Sequence, residues 1–261
     1  MALPATRHDS LEHAPAHLRL FQSIHPKNQR DWVAPCGYGD GALLAEAIAA
    51  TYGMIEMIDD GVGKLMQQLD DLGIQDNTIV VFTSDHGDMM GDHGLFLKGF
   101  MHYRGTLQVP VMIRALGLPA SRIPGLASSL DLAPTLLDLC GVADYDGIQG
   151  LSLRPALENN TQRVRDHVLI EDDIATITAK LTPIPGKTRT VITEQYRYNR
   201  NSKGEEQLFD LIADPDEMRD LTTNPHSAKA QMMEVLADAL IAADDAAKGA
   251  PTQATSIPGL S

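Results

Sequence analysis

Cysteine is scarce in this chain. The 261 residues hold two, Cys36 and Cys140, far apart and in unrelated settings, which argues against a disulfide framework. Cys36 sits in a Pro/Gly turn and is expected to be a free thiol. Cys140 closes an apolar helical stretch and is expected to be a small core residue. The first residues, Met1 to Asp9, lack the apolar centre of a secretory leader, and no uncharged apolar run is long enough to span a bilayer. The expectation is a soluble, cytoplasmic chain with no membrane partner. A basic patch is missing too: the net charge is -14 and the sequence pI is near 4.9. Nucleic acid is therefore not an expected partner, because its affinity rests on Lys and Arg neutralising phosphates. No internal repeat is evident.

What is present suffices for a sizeable core, at 43% hydrophobic residues. Residues 1–40 are rich in His, Pro and charge without periodicity and read as an irregular surface segment. Leu44, Ile48, Ile55, Ile58, Val62, Leu65, Leu69 and Leu72 then recur at three and four, the stripe of a long amphipathic helix ending at Gly73. Gly53, Gly61 and Gly63 suggest that it packs closely on a sheet, with Met54, Met57 and Met66 as core filler. Thr78 to Thr83 reads as a buried strand, Val109 to Ala115 as its parallel or mixed-sheet neighbour, and Leu130 to Leu139 as a short helix. After residue 160, short runs (168–170, 190–193, 196–198, 207–210) separated by polar turns predict an antiparallel meander, covered by a helix over 227–247. Within it, Tyr196, Arg197, Tyr198 and Arg200 read as an alternating, half-exposed strand, and Asp214-Pro215-Asp216-Glu217 as a solvated turn. The tail 249–261 reads as disordered.

The richest stretch is Thr83-Ser84-Asp85-His86-Gly87-Asp88-Met89-Met90-Gly91-Asp92-His93-Gly94, followed by Leu97-Lys98-Gly99. It places carboxylates, imidazoles and an amine directly after a predicted strand, where active-site loops leave α/β sheets. Ionised Asp offers hard oxygen to a divalent cation, neutral His offers nitrogen, and Lys can hold an anionic ester against a metal. Asp-His-Gly after a strand could equally form a plain turn, with Asp85 capping and His86 solvated. Two acid-His-Gly triplets and a Lys-Gly in one short loop are more than a turn needs.

This string resembles the second signature of the sulfatases, within the alkaline phosphatase superfamily. Tyr52 to Gly63, Leu69 to Gly73, Val109-Pro110, Asp131 to Asp138, Gly150 to Leu153 and Leu208 to Glu217 follow in family order. The resemblance implies an α/β fold, a mixed, mostly parallel sheet flanked by helices, followed by a small C-terminal antiparallel sheet with a covering helix. Residues 1–155 would belong to the catalytic domain, with the metal loop at 83–99, and residues 156–248 to the small subdomain. It also implies metal-dependent hydrolysis of sulfuric esters. Asp85 and His86 match two metal ligands and Lys98 the catalytic lysine that contacts sulfate. His102 is a further substrate-binding candidate, although Arg104 and Gln108 depart from the Glu and Arg of many relatives. His93 is expected to stabilise the loop by hydrogen bonding, and Asp88 and Asp92 to tune or cap it. The cation would be calcium, with manganese the alternative that His86 in place of Asn keeps open.

The family's nucleophile is formylglycine, made from Cys-x-Pro-x-Arg or a Ser equivalent, and that pattern is absent here: Cys36 is followed by Gly-Tyr-Gly-Asp and Cys140 by Gly-Val-Ala-Asp. No early Asp-Asp pair supplies the rest of the metal shell, and His25-Pro26 only weakly echoes a family motif. The resemblance therefore implies the C-terminal half of a sulfatase, acting on a sulfate ester or related anionic small molecule, with a missing N-terminal half or a second copy as partner. Two alternatives stand beside it: a phosphonate monoester or phosphodiester hydrolase of the same superfamily, and a truncated, inactive binding module.

Overall fold

A computed structural model of the chain describes residues 2–23, 41–160, 162–174 and 184–248. Cys36, His25-Pro26 and the tail 249–261 lie outside the described residues. The elements are helices α1 (Ala16–Ser23), α2 (Gly41–Asp71), α3 (Arg104–Leu107), α4 (Leu132–Leu139), α5 (Arg154–Glu158) and α6 (Ser227–Lys248), and strands β1 (Val80–Thr83), β2 (Val111–Arg114), β3 (Val168–Asp173), β4 (Lys187–Ile192), β5 (Tyr196–Asn201) and β6 (Glu206–Asp210). The α/β class expected from the sequence is the class observed. The parallel pairing is not: among the described residues both sheets, β1-β2 and β3-β4-β5-β6, are antiparallel. Strand β2 returns alongside β1, pairing Val80 with Arg114 and Thr83 with Val111, with the loop at 84–103 closed between them.

The four-stranded sheet has two covered faces, and this decides which side chains are buried. On one face Leu169, Val191, Tyr198 and Leu208 meet Ala228, Met232 and Leu236 of α6, a stripe with helical spacing. On the other face Thr188, Thr190, Arg197, Asn199, Gln207 and Phe209 lie against the N-terminal segment and residues 98–103. Most polar groups on this face are buried against a partner rather than water, Thr188 Oγ1 and the two Arg197 Nη atoms being exceptions. His102 Nδ1 bonds Thr190 Oγ1 at 2.6 Å, Gln207 Nε2 donates to Tyr103 Oη at 3.0 Å, and the Ala16 N–H donates to Glu205 Oε1 at 2.8 Å.

The structure departs from four sequence expectations. Residues 2–23 are not surface chain: Leu11, Leu18 and Phe21 enter one core with Met89, Leu95, Met101, Tyr103 and Phe209. That core draws on both sides of residue 155. Arg197 is not half-exposed: it is 1% exposed and its Nε donates to Glu217, itself 2% exposed, so the segment 214–217 is not a simple solvated turn. The guanidinium also lies 5.0 Å from the Tyr103 ring centre and 4.6 Å from that of Phe209, which stabilises a desolvated cation. Cys140 is exposed at the end of α4 rather than buried.

Helix α2 carries the predicted stripe, but only Leu44 and Ile48 are buried, against Phe96. Ile55 is 51% exposed, Ile58 53% and Leu65 68%, and nothing lies within 4 Å of a Cβ placed at Gly53, Gly61 or Gly63. Met54 and Met57 are exposed rather than core filler. By length and composition alone α2 has a window apolar enough to cross a membrane, with a mean hydropathy of 1.3, although Glu46, Glu56, Asp59, Asp60 and Lys64 interrupt the helix.

Two tests follow from the core. Replacing Glu217 with Ala leaves the Arg197 charge unpaired in the interior and strips the acceptor from the Arg104 N–H, bonded at 2.8 Å. The expected loss is about 3–5 kcal/mol, read as a lower urea midpoint; an unchanged midpoint would refute the role of the pair. Burial pushes the His17 pKa below the ordinary 6.5, opposed by the Phe100 carbonyl, Glu205 and Asp172 and aided by neighbouring His102. Below 6.5 the unfolded chain binds the proton that the folded chain resists, so stability is full above 6.5 and falls on acidification towards the folded-state value. Urea unfolding at about pH 7.5 and about pH 5.5 should show a loss that is smaller in His17→Gln.

Candidate active site

The loop after β1 is shaped by backbone contacts. The Gly87 N–H donates to the Thr106 carbonyl at 2.8 Å, and a Cβ on Gly87 would stand 2.0 Å from the Gly105 carbonyl oxygen, so only glycine fits there. Met90, His93 and Leu97 adopt left-handed backbone conformations, with φ of 46°, 54° and 66°. Such residues persist only where their surroundings hold them. Asp88 Oδ1 supplies part of that hold, accepting the N–H groups of Met90 at 2.9 Å and Leu97 at 3.0 Å.

Further restraint comes from residues in which the sequence gives no functional signal. Thr6 Oγ1 donates to Asp92 Oδ1 at 2.7 Å, Asp9 Oδ2 lies 2.7 Å from His93 Nδ1, and Gln22 Nε2 donates to the His93 carbonyl at 2.8 Å. His93 is 3% exposed and stacks on Tyr103 at 4.0 Å between ring centres. These partners are more than 70 residues away in the chain. A local motif cannot disclose them.

On this frame Asp85, His86 and Lys98 come together at the surface. The Gly87 carbonyl lies 2.9 Å from His86 Nδ1 and can only accept, so Nδ1 carries the hydrogen and Nε2 presents a lone pair. That lone pair faces Lys98 Nζ at 2.5 Å and lies 3.3 Å from Asp85 Oδ2. The His86 N–H donates to Asp85 Oδ1 at 2.9 Å and, as the largest influence, holds the Asp85 carboxyl below its ordinary range. Asp85 is therefore a carboxylate at neutral pH.

This geometry fits part of a metal shell. Two ligands about 2.3 Å from one ion and at right angles stand about 3.3 Å apart, which is the Asp85–His86 separation. The tautomer is the ligating one, fixed by a carbonyl behind the ring. The Lys98 ammonium meets the His86 lone pair that a metal would take, so metal binding requires Lys98 to swing aside. Among the described residues no group of three or more His, Cys, Asp or Glu could complete the shell. His102 stands apart from the trio: its ring is buried at 5% exposure between Thr190 and Asp172, with Nε2 3.5 Å from Asp172 Oδ2. In this position it braces the Lys98 segment on the sheet.

Comparison with known proteins matches this arrangement to one family. The sulfatase family pattern matches residues 6–142, and that of the N-sulphoglucosamine sulphohydrolase C-terminal region matches residues 91–244. An arylsulfatase of Clostridium perfringens is 34% identical over 187 residues, covering 68% of this chain and 36% of its own length. Among solved structures, a protein in complex with its substrate D-glucosamine-2-N,6-O-disulfate is similar with a TM-score of 0.60 and 29% identity, covering 73% of this chain and 40% of that one. The phosphonate monoester hydrolase of Agrobacterium radiobacter is similar with a TM-score of 0.68 and 28% identity, covering 78% and 42%. The chain spans between 31% and 44% of the length of the curated relatives it matches. With a family match over more than half of its residues, and with the Asp-His-Gly loop folded around its lysine, this chain belongs to the sulfatase family.

Proposed function

We propose that this chain supplies the Asp-His metal ligands and the sulfate-contacting lysine of a sulfuric ester hydrolase, and that the nucleophile is supplied by another polypeptide segment. The observation that carries the reading is the convergence of Asp85 Oδ2, His86 Nε2 and Lys98 Nζ at one exposed point. Asp85 and His86 would hold a divalent cation, calcium by family resemblance with manganese the alternative, whose contribution is to polarise the ester oxygens. His86 keeps its Nδ1–H on the Gly87 carbonyl and so keeps Nε2 aimed at the ion. Lys98, released from His86, places its ammonium on the non-bridging oxygens and stabilises the charge that develops as the ester bond breaks.

The requirement for a second segment is supported by the sequence, which has no Cys-x-Pro-x-Arg, and by the two-ligand shell among the described residues. The bare stripe of α2 and the two-stranded β1-β2 sheet give such a segment an apolar surface to cover. A second reading, phosphonate monoester hydrolysis, is favoured by the similarity to the Agrobacterium radiobacter enzyme. The Asp-His-Lys trio would serve either ester.

Co-expression with the N-terminal half of a sulfatase relative should yield hydrolysis of an aryl sulfate that requires a divalent cation and that neither half gives alone. Lys98→Ala in that assembly should lower the rate by roughly 10²–10³, the scale of losing one charge-stabilising donor. A stable, metal-loaded assembly without turnover would overturn the proposal. Matched sulfate and phosphonate esters separate the two readings: a faster phosphonate reaction by two orders of magnitude or more would favour the second.

A further inference from the structure

Between α1 and the inner face of β4 and β5 lies a small cavity of about 10 Å³, room for one water molecule. Its walls include His17, Thr188, Asn199, Asn201, Glu205 and Gln207. His17 is 2% exposed and Thr188 4%, and both His17 Nδ1 and Thr188 Oγ1 are buried without a hydrogen-bond partner. Buried polar groups are rarely left so, and two on the wall of one cavity require a common cause.

The ring's tautomer defines what is needed. His17 Nε2 lies 3.0 Å from the Phe100 carbonyl, which can only accept, so Nε2 carries the hydrogen and Nδ1 of the neutral ring is a bare acceptor. Thr188 Oγ1 can donate or accept. The neighbouring acceptors are already engaged: Glu205 by the Ala16 N–H at 2.8 Å and Asn201 Nδ2 at 2.9 Å, Asn201 Oδ1 by the Lys203 and Glu205 N–H groups at 2.9 and 3.1 Å, and Gln207 Oε1 by Asn199 Nδ2 at 3.3 Å. Two open groups are too few for a metal ion, which takes four or more ligands. They suit a small molecule that both donates and accepts.

We propose that this cavity binds a single structural water, which donates to His17 Nδ1 and is held by Thr188 Oγ1. The water fixes the imidazole from one side while the Phe100 carbonyl fixes it from the other. Phe100 lies two residues beyond Lys98, so the site ties the lysine-bearing segment to the sheet through α1. The site stands on the fold alone and does not depend on the hydrolase reading.

Crystal structures of the whole chain at a resolution that shows ordered solvent test the site, with Thr188→Val and Thr188→Ser as variants. The expected result is one solvent peak within hydrogen-bond distance of both His17 Nδ1 and Thr188 Oγ1 in the parent and in Thr188→Ser, and none in Thr188→Val. The ¹⁵N resonance of His17 Nδ1 should report a hydrogen-bonded acceptor in the parent and shift in Thr188→Val. An empty cavity in the parent, a ring flipped so that Nδ1 faces Phe100, or a peak retained in Thr188→Val would overturn the proposal. Should Thr188→Val fail to fold, a long-lived water contact to the His17 ring in the parent decides: its presence supports the site and its absence sinks it.

Discussion

The buried pair of Arg197 and Glu217 is the contact on which most of this structure hangs. A charged pair taken out of water is a burden unless its charges are met, and Arg197 bonds Glu217 through Nε alone, its two Nη atoms having no hydrogen-bond partner among the described residues. Here the guanidinium lies against the Tyr103 and Phe209 rings while one carboxylate oxygen takes Arg197 and the other takes the Arg104 N–H. That last bond sets the start of α3, and α3 offers the Thr106 carbonyl to Gly87. Gly87 in turn orients His86 through its own carbonyl. An unbroken line of bonded neighbours thus runs from the interior of the C-terminal sheet to the exposed imidazole. A small antiparallel sheet thereby helps to position the Asp85-His86 loop.

How much of this is legible in the sequence depends on the range over which each constraint acts. The meander β3 to β6 and the helix α6 are written in local pattern, and their apolar face obeys the expected period. The meeting of Asp85, His86 and Lys98 is legible for the same reason, since all three lie in one short string. Arg197 and Glu217 are misread because local polarity suggests exposure, whereas the second face of the sheet buries polar side chains against one another. The N-terminal segment is misread because Thr6, Asp9 and His17 gain their meaning only from partners more than 80 residues distant. His102 likewise takes its contacts from a distant part of the chain, Thr190 and Asp172.

Helix α2 illustrates the converse case, a pattern read correctly whose partner is not in the described chain. Its stripe predicts a covered face, and the exposure of Ile55, Ile58 and Leu65 shows a face still awaiting cover. The chain matches less than half the length of curated relatives such as the Clostridium perfringens arylsulfatase, and the exposed face of α2 lies on the same chain as the two-stranded β1-β2 sheet.

The hydrogen bond from the Ala16 N–H to Glu205 spans 189 residues, and this has a consequence for synthesis on the ribosome. Translation proceeds at about 5–20 residues per second, so α1 is made roughly 10–40 s before the sheet that receives it. Throughout that interval Leu18 and Phe21 have no Phe209 to pack against. Helix α1 therefore docks late, and its apolar face stays open while the sheet is still being translated.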